Sequence, residues 1–138
     1  MITLAVDFGD ARTGLAVSDA NGQFAFPRPI IHEHNLAPLL KGVTAVAQAE
    51  KATRIVVGQP RNMNGTLGEK AEKYADWAEQ LQQVSGLPVV LWDERQTTVM
   101  AIQVLNVTNT RGKKRKAVVD SVAAVILLES YLASQKDV

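Results

Sequence analysis

Apolar positions along the chain fall into two kinds of run. Short blocks of branched and small apolar side chains, in ITLAVDFG, TGLAVSD, RIVVGQP and LPVVLWDE, read as buried strands. The first two are separated by DAR with glycines on both sides, which predicts a β-hairpin. QFAFPRPII follows after ANG, and its prolines suit an edge strand or a strand end, because each removes a ladder donor. Between these blocks the apolar period lengthens to that of a helix. Leu36, Leu39, Leu40, Val43, Val46 and Ala47 predict an amphipathic helix over 36–51 with Asn35 as its N-cap. Tyr74, Trp77, Ala78 and Leu81 mark a second helical face that Gly86 ends, and Thr66 with Glu69 has the spacing of a capping box. TTVMAIQVLN predicts a short helix behind Thr97 or Thr98. A last helix is expected over 117–134, so apolar through VVDSVAAVILL that it must be buried.

The order β-β-β-α-β-α-β-α-α predicts an α/β fold. Its first three strands form an antiparallel meander, and two further strands join in parallel through right-handed crossovers, giving a mixed five-stranded sheet flanked by helices. With 138 residues, 46% of them hydrophobic, one domain over 1–138 is expected, large enough to fold on its own core. The absence of cysteine excludes thiolate zinc sites, iron–sulfur clusters, disulfides and a cysteine nucleophile. No apolar run reaches the ~18 residues of a membrane span, and MITLAVDFGD lacks the basic start of a secretory signal. A cytoplasmic protein with no membrane partner is expected.

The net charge of +1 implies no polyanionic partner, but its distribution does more. RGKKRK at 111–116 is a dense basic run, read as a loop ahead of the last helix. Aromatics, at 5%, are too few for a base-stacking sheet.

Acidic residues stand where an open α/β sheet places chemistry, at the carboxyl ends of its strands. Asp7 ends the first strand, Asp93 and Glu94 end the last, and Asp120 lies in the first turn of the expected final helix. Three carboxylates on one edge would suit one or two hard divalent cations, Mg²⁺ or Mn²⁺. Each also has a plain structural reading: Asp7 capping a turn, Asp93 and Glu94 solvated at a strand end, Asp120 at the positive end of a helix dipole. Position weighs against those readings for Asp7 and Asp120, which interrupt otherwise apolar runs.

DFGxxxxGxAVSD from Asp7 to Asp19, VGQPRNMNGT at 57–66, DERQTT at 93–98 and RKAVVDSVAAVILLESYL at 115–132 together resemble the YqgF/RuvX family. That family belongs to the RNase H-like superfamily and is related to the RuvC-type Holliday junction resolvases; the resemblance spans essentially the whole chain. It implies an RNase H-like fold and a metal-dependent nuclease linked to maturation of the 5′ end of pre-16S rRNA, or by analogy to junction resolution. By motif, Asp7, Glu94 and Asp120 match the catalytic, metal-binding acids, with Asp93 and Arg95 completing the strand-end motif and Asp93 a possible further metal ligand. Gln59 and Arg61 depart from the usual GLPL of the family; both are expected on a loop, where they bear on substrate contacts more than on chemistry. The implied mechanism is two-metal hydrolysis of a phosphodiester, with no histidine base. Structured RNA or branched DNA is the expected partner. Cutting a junction would need two sites facing two strands, and hence a homodimer.

Other features are weaker. DFGDARTG also fits the phosphate loop of actin-like and sugar-kinase ATPases, but those clamp nucleotide between duplicated domains that this length does not allow; Gly9 and Gly14 then simply serve a hairpin turn. His32 and His34 lack a third ligand and read as solvated. Trp77 and Trp92 lie in apolar patterns and read as core. Arg61, Asn62 and Asn64 in the NMNGT turn, together with Arg95, Arg111, Lys113, Lys114, Arg115 and Lys116, are the expected contacts to a nucleic-acid backbone. A non-catalytic nucleic-acid or ribosome-associated module is the alternative of a different class.

Overall fold

The computed structural model describes residues 1–9, 11–59, 68–93 and 112–136, and within these ranges the side chains of 69–70, 112–121 and 136 lie outside the description. The elements are β1 (Thr3–Asp7), β2 (Arg12–Ser18), β3 (Ala25–His32), α1 (Leu36–Ala49), β4 (Arg54–Gln59), α2 (Glu69–Ser85), β5 (Val89–Asp93) and α3 (Gly112–Lys136). The sheet order is β3-β2-β1-β4-β5. β1 pairs antiparallel with β2, and β2 with β3, whereas β1 with β4 and β4 with β5 are parallel. The expected meander with two added parallel strands is therefore present.

Alternation along the strands divides two cores between the two faces of the sheet. Leu4, Val6 and Phe8 of the β1 segment, with Leu15, Ile55 and Val57, pack against Leu39, Leu40 and Val43 of α1 and Tyr74, Ala78 and Leu81 of α2. Ala5, Ala16 and Val56 face the other way and meet Ala124, Leu127, Leu128 and Tyr131 of α3. Small residues on that side of the central strands let α3 lie close to the sheet. Trp77 and Trp92 pack against the first and second core respectively, as their apolar surroundings predict.

β3 is an edge strand, so Pro27 and Pro29 cost few ladder bonds. Its register against β2 slips between Thr13 and Leu15, where three steps along β3 match two along β2, and the alternation of β2 is kept. Asn35 takes the N-cap position of α1. Gly86 ends α2 in the left-handed conformation, φ 72°.

Three expectations need correction. The N-cap of α2 is Gly68, not Thr66, so the helix starts two residues later than a capping box at Thr66 requires. Gln59 is no loop residue: it closes β4, is buried, and donates from Nε2 to the Ala71 carbonyl of α2 at 3.4 Å. The last helix starts at Gly112, so Lys113, Lys114, Arg115 and Lys116 stand in its first turns and not in a loop before it. Strong individual helix propensity of Lys and Arg outweighs the turn signal of Gly112. The helix expected in TTVMAIQVLN lies outside the described residues.

Candidate active site

β1, β4 and β5 are mutually parallel, so their carboxyl ends, at Asp7, Gln59 and Asp93, open on one edge of the sheet. Asp7 sits opposite Gly14 in the hairpin and, two residues beyond Ala5, points to the α3 side. It is half-buried. The β1 segment is held just past this carboxylate by Tyr74, whose hydroxyl donates to the Phe8 carbonyl at 2.8 Å from a position 1% exposed. Phe8, Tyr74 and Trp77 form an aromatic cluster beneath it, with ring centroids 5.2–5.7 Å apart. Thus the end of β1 is fixed from below by α2, while its carboxylate is offered above.

At the hairpin, Gly9 approaches Arg12 so closely that a Cβ on Gly9 would lie 2.3 Å from the Arg12 carbonyl oxygen. Gly9 therefore serves the close turn expected of it, by absence of a side chain.

α3 runs along the sheet away from this edge. Tyr131, near its end, accepts from Arg54 Nη1 at 2.5 Å, and Arg54 starts β4 at the opposite edge. Eleven residues of helix separate Tyr131 from Asp120, a rise of about 16 Å, against about 13 Å from Thr3 to Asp7 along β1. The backbone of Asp120 is thereby carried to the end of the sheet where Asp7 lies, on the same face.

Asp93 is placed differently. It pairs with Gln59 in the parallel ladder, and Gln59 is turned to α2. Leu91, two residues earlier, packs in the α1/α2 core, while Val90 and Trp92 pack on the α3 side. Asp93 therefore projects to the face away from Asp7. Trp92 is locked on the α3 face by donating from Nε1 to Ser130 Oγ at 3.1 Å and by an edge contact with the Tyr131 ring.

Glu94, Arg95, Arg61, Asn62, Asn64 and Arg111 lie outside the described residues, and for Asp120, Lys113, Lys114, Arg115 and Lys116 the helix is described but the side chain is not. Among the described residues no group of three or more histidines, cysteines or acids comes together; of the expected metal acids, the side chains of Asp7 and of the possible ligand Asp93 are described, and those of Glu94 and Asp120 are not. His32 and His34 are both exposed, as expected of solvated residues. One basic residue was not singled out by sequence reasoning and belongs to this edge: Arg12, at the start of β2. Its signal lay in the alternation, which puts Arg12, Gly14 and Ala16 on the Asp7 side of the hairpin.

A family model described as RuvX, Holliday junction resolvase, matches residues 1–134. A protein named "Putative pre-16S rRNA nuclease" from Caldanaerobacter subterraneus subsp. tengcongensis is 39% identical over 139 aligned positions, covering 99% of both chains. One of the same name from Geobacillus kaustophilus is 41% identical, covering 99% of this chain and all of its own. Among solved structures, Thermus thermophilus RuvC in complex with a Holliday junction substrate superposes with a TM-score of 0.63, at 14% identity, over 99% of this chain and 96% of that one. The Fowlpox virus resolvase with its junction DNA gives 0.58, also at 14% identity, over 98% and 99%. Matched from end to end by relatives, and superposing on RuvC over nearly its whole length, the chain belongs to the RuvX (YqgF) family and has the RuvC-like form of the RNase H fold.

Proposed function

We propose that this chain is a divalent-metal-dependent endonuclease that trims the 5′ end of pre-16S rRNA, with Asp7, Glu94 and Asp120 as the metal-binding acids and Mg²⁺ or Mn²⁺ as the cation. The observation that carries this reading is the position of Asp7, at the carboxyl end of the central strand on the face to which α3 brings Asp120. The substrate comes from the shared name of the relatives. All three proposed donors are carboxylates, the hard oxygen chemistry that Mg²⁺ and Mn²⁺ take. Asp7, Glu94 and Asp120 would hold the cations, which would supply an acidified water and neutralisation of charge at the phosphate and the leaving oxygen. The chain's own part is to hold the acids rigidly, through the Tyr74 anchor and the packing of α3, and to bind the phosphate backbone.

The side taken by Asp93 supports Glu94 as the acid of the β5 motif, because neighbouring strand residues point to opposite faces. Asp7→Asn is expected to abolish cleavage while leaving the thermal midpoint close to that of the parent, since it removes charge without volume. Glu94→Gln should do the same, and Asp93→Asn should retain most activity. A greater loss from Asp93→Asn than from Glu94→Gln would reverse that assignment, and near-normal turnover by Asp7→Asn at saturating Mn²⁺ would remove Asp7 from the site.

The second reading, cleavage of DNA junctions, is favoured by the likeness to resolvases solved on junction DNA. It requires a dimer presenting two sites. Incubation with Mn²⁺ and, in parallel, a pre-rRNA fragment, a four-way DNA junction and linear duplexes separates the two. Binding to all of these with no cleavage of any would favour the non-catalytic module.

A further inference from the structure

Arg12 carries a feature the rest of the fold does not explain. Its Nη1 is shielded from solvent and has no hydrogen-bond partner, although the residue as a whole is only half-buried. A guanidinium nitrogen taken out of water and left unpaired is costly, so such an arrangement calls for an explanation. The described acid nearest in the ladder is Asp7, the diagonal neighbour on β1, and Nη1 makes no hydrogen bond to it. Arg12 faces His32 across the β2–β3 ladder, not an acid. Glu33, the nearest carboxylate along β3, is turned to the Asn35 N–H at 3.1 Å. Glu50 is taken up by Arg28 at 2.6 Å.

The placement of Arg12 is as specific as the unpaired state of its Nη1. Gly14 lies directly opposite Asp7, and Arg12 is two residues from Gly14 on an unbroken strand, so Asp7 and Arg12 share the α3 face as diagonal neighbours. Such diagonals are about 7–8 Å apart, within the reach of a long side chain to a group seated above Asp7. The turn itself is set by the Gly9 contact with the Arg12 carbonyl, which ties the arginine's backbone to the end of β1. A phosphate accepts the guanidinium fork in two parallel bonds and is the anion that the proposed substrate brings to this edge.

We infer that Arg12 binds a backbone phosphate of the nucleic acid, beside the one at Asp7, and so sets the register of the strand in the site. This rests on the nuclease reading for its substrate, and on the buried unpaired nitrogen for its substance. Arg12 is a phosphate-binding and positioning residue; its contact carries no base preference.

The test is binding in EDTA, where cleavage is stopped. Anisotropy of a labelled pre-rRNA fragment and of a four-way DNA junction is followed over a salt series for the parent, Arg12→Gln and Arg12→Lys, with thermal unfolding of each. Arg12→Gln should weaken binding of both nucleic acids about tenfold or more, and lower the magnitude of the salt slope by about 0.7–0.9, the value of one phosphate contact. Its thermal midpoint should stay or rise, because the unpaired charge is gone. Arg12→Lys, which keeps the charge but not the fork, should keep the slope and lose part of the affinity. Unchanged affinity and slope in Arg12→Gln would overturn the assignment, as would a lowered midpoint in both variants with binding intact, which marks a purely structural arginine. If the parent cuts and Asp7→Asn does not, while Arg12→Gln binds as the parent does, this inference alone fails. If the variants behave as expected but no substrate is cut, the nuclease reading alone fails.

Discussion

At the residue scale the candidate site depends on how little room there is at the β1–β2 turn. Asp7 and Arg12 are separated by four residues, and the chain reverses between them by pressing Gly9 against the Arg12 carbonyl. Gly9→Ala would set a methyl 2.3 Å from a backbone oxygen, which has no flexible end to yield. The hairpin must open, at a cost of about 1–3 kcal/mol, comparable to other overpacking changes. Asp7 is displaced with it, so the variant should lose cleavage by much more than its stability loss accounts for. Chemical denaturation and single-turnover cleavage on the same preparation check this; a destabilised variant that still cuts normally would show that the turn and the acid are uncoupled. The glycine was legible in the sequence as a turn signal. The unpaired state of Arg12 was not, because it depends on what surrounds the guanidinium in three dimensions.

At the element scale, α3 combines two functions that pull against each other. Its second half is apolar and buried, with Ala124, Leu127 and Leu128 under 2% exposed. Its first turns hold Lys113, Lys114, Arg115 and Lys116, with no acid among them. Cations there oppose the helix dipole, which favours negative charge at an N-terminus, each by about 0.3–1 kcal/mol. A cost kept at that place is explained if an anion visits it. Replacing the four by Gln, which keeps helix propensity, should therefore raise the thermal midpoint and at the same time flatten the salt dependence of nucleic-acid binding by up to about 4 units of slope. A change in stability without a change in slope would leave the basic turns out of the binding surface. Reading this run as a loop followed from Gly112 and the polar NVTNT before it. Local signals could not register that the buried half of α3, docked on Ala5, Ala16 and Val56, lends its stability to the turns ahead of it.

At the scale of the whole molecule, sequence alternation was informative wherever a strand is buried on both faces and weak where a segment meets only one partner. β1 and β4 are legible because all their side chains but Asp7 and Arg54 are buried. Gln59 falls between two readings, inside the strand block RIVVGQP and on the loop by comparison with the family's GLPL; its pairing with Asp93 and its bond to the Ala71 carbonyl make it a buried strand end. Two carboxylates add to the ladder with β2 that holds the edge strand β3. Asp19 accepts from the Gln23 and Phe24 N–H groups at 2.8 and 3.0 Å in the turn that starts β3, and the Phe24 bond first, then that of Gln23, holds its pKa below the usual value. Glu50, at the end of α1, accepts the fork of Arg28 from the middle of β3, and that hydrogen bond, reinforced by the charge, lowers its pKa as well. Groups whose folded pKa is depressed contribute stability that is complete above the unfolded values, near pH 4, and is lost as pH falls through the folded ones. The parent should accordingly keep its thermal midpoint from neutrality down to about pH 5 and then lose it steeply. Asp19→Asn with Glu50→Gln removes both titrations, so the variant should be less stable than the parent at neutral pH and approach it at about pH 2. Parallel profiles for the two proteins would show that the acid sensitivity resides elsewhere. Convergence would show that Asp19 and Glu50 add a charge-dependent increment to the ladder and apolar contacts that hold β3, the outermost strand of the meander whose inner hairpin carries Asp7 and Arg12.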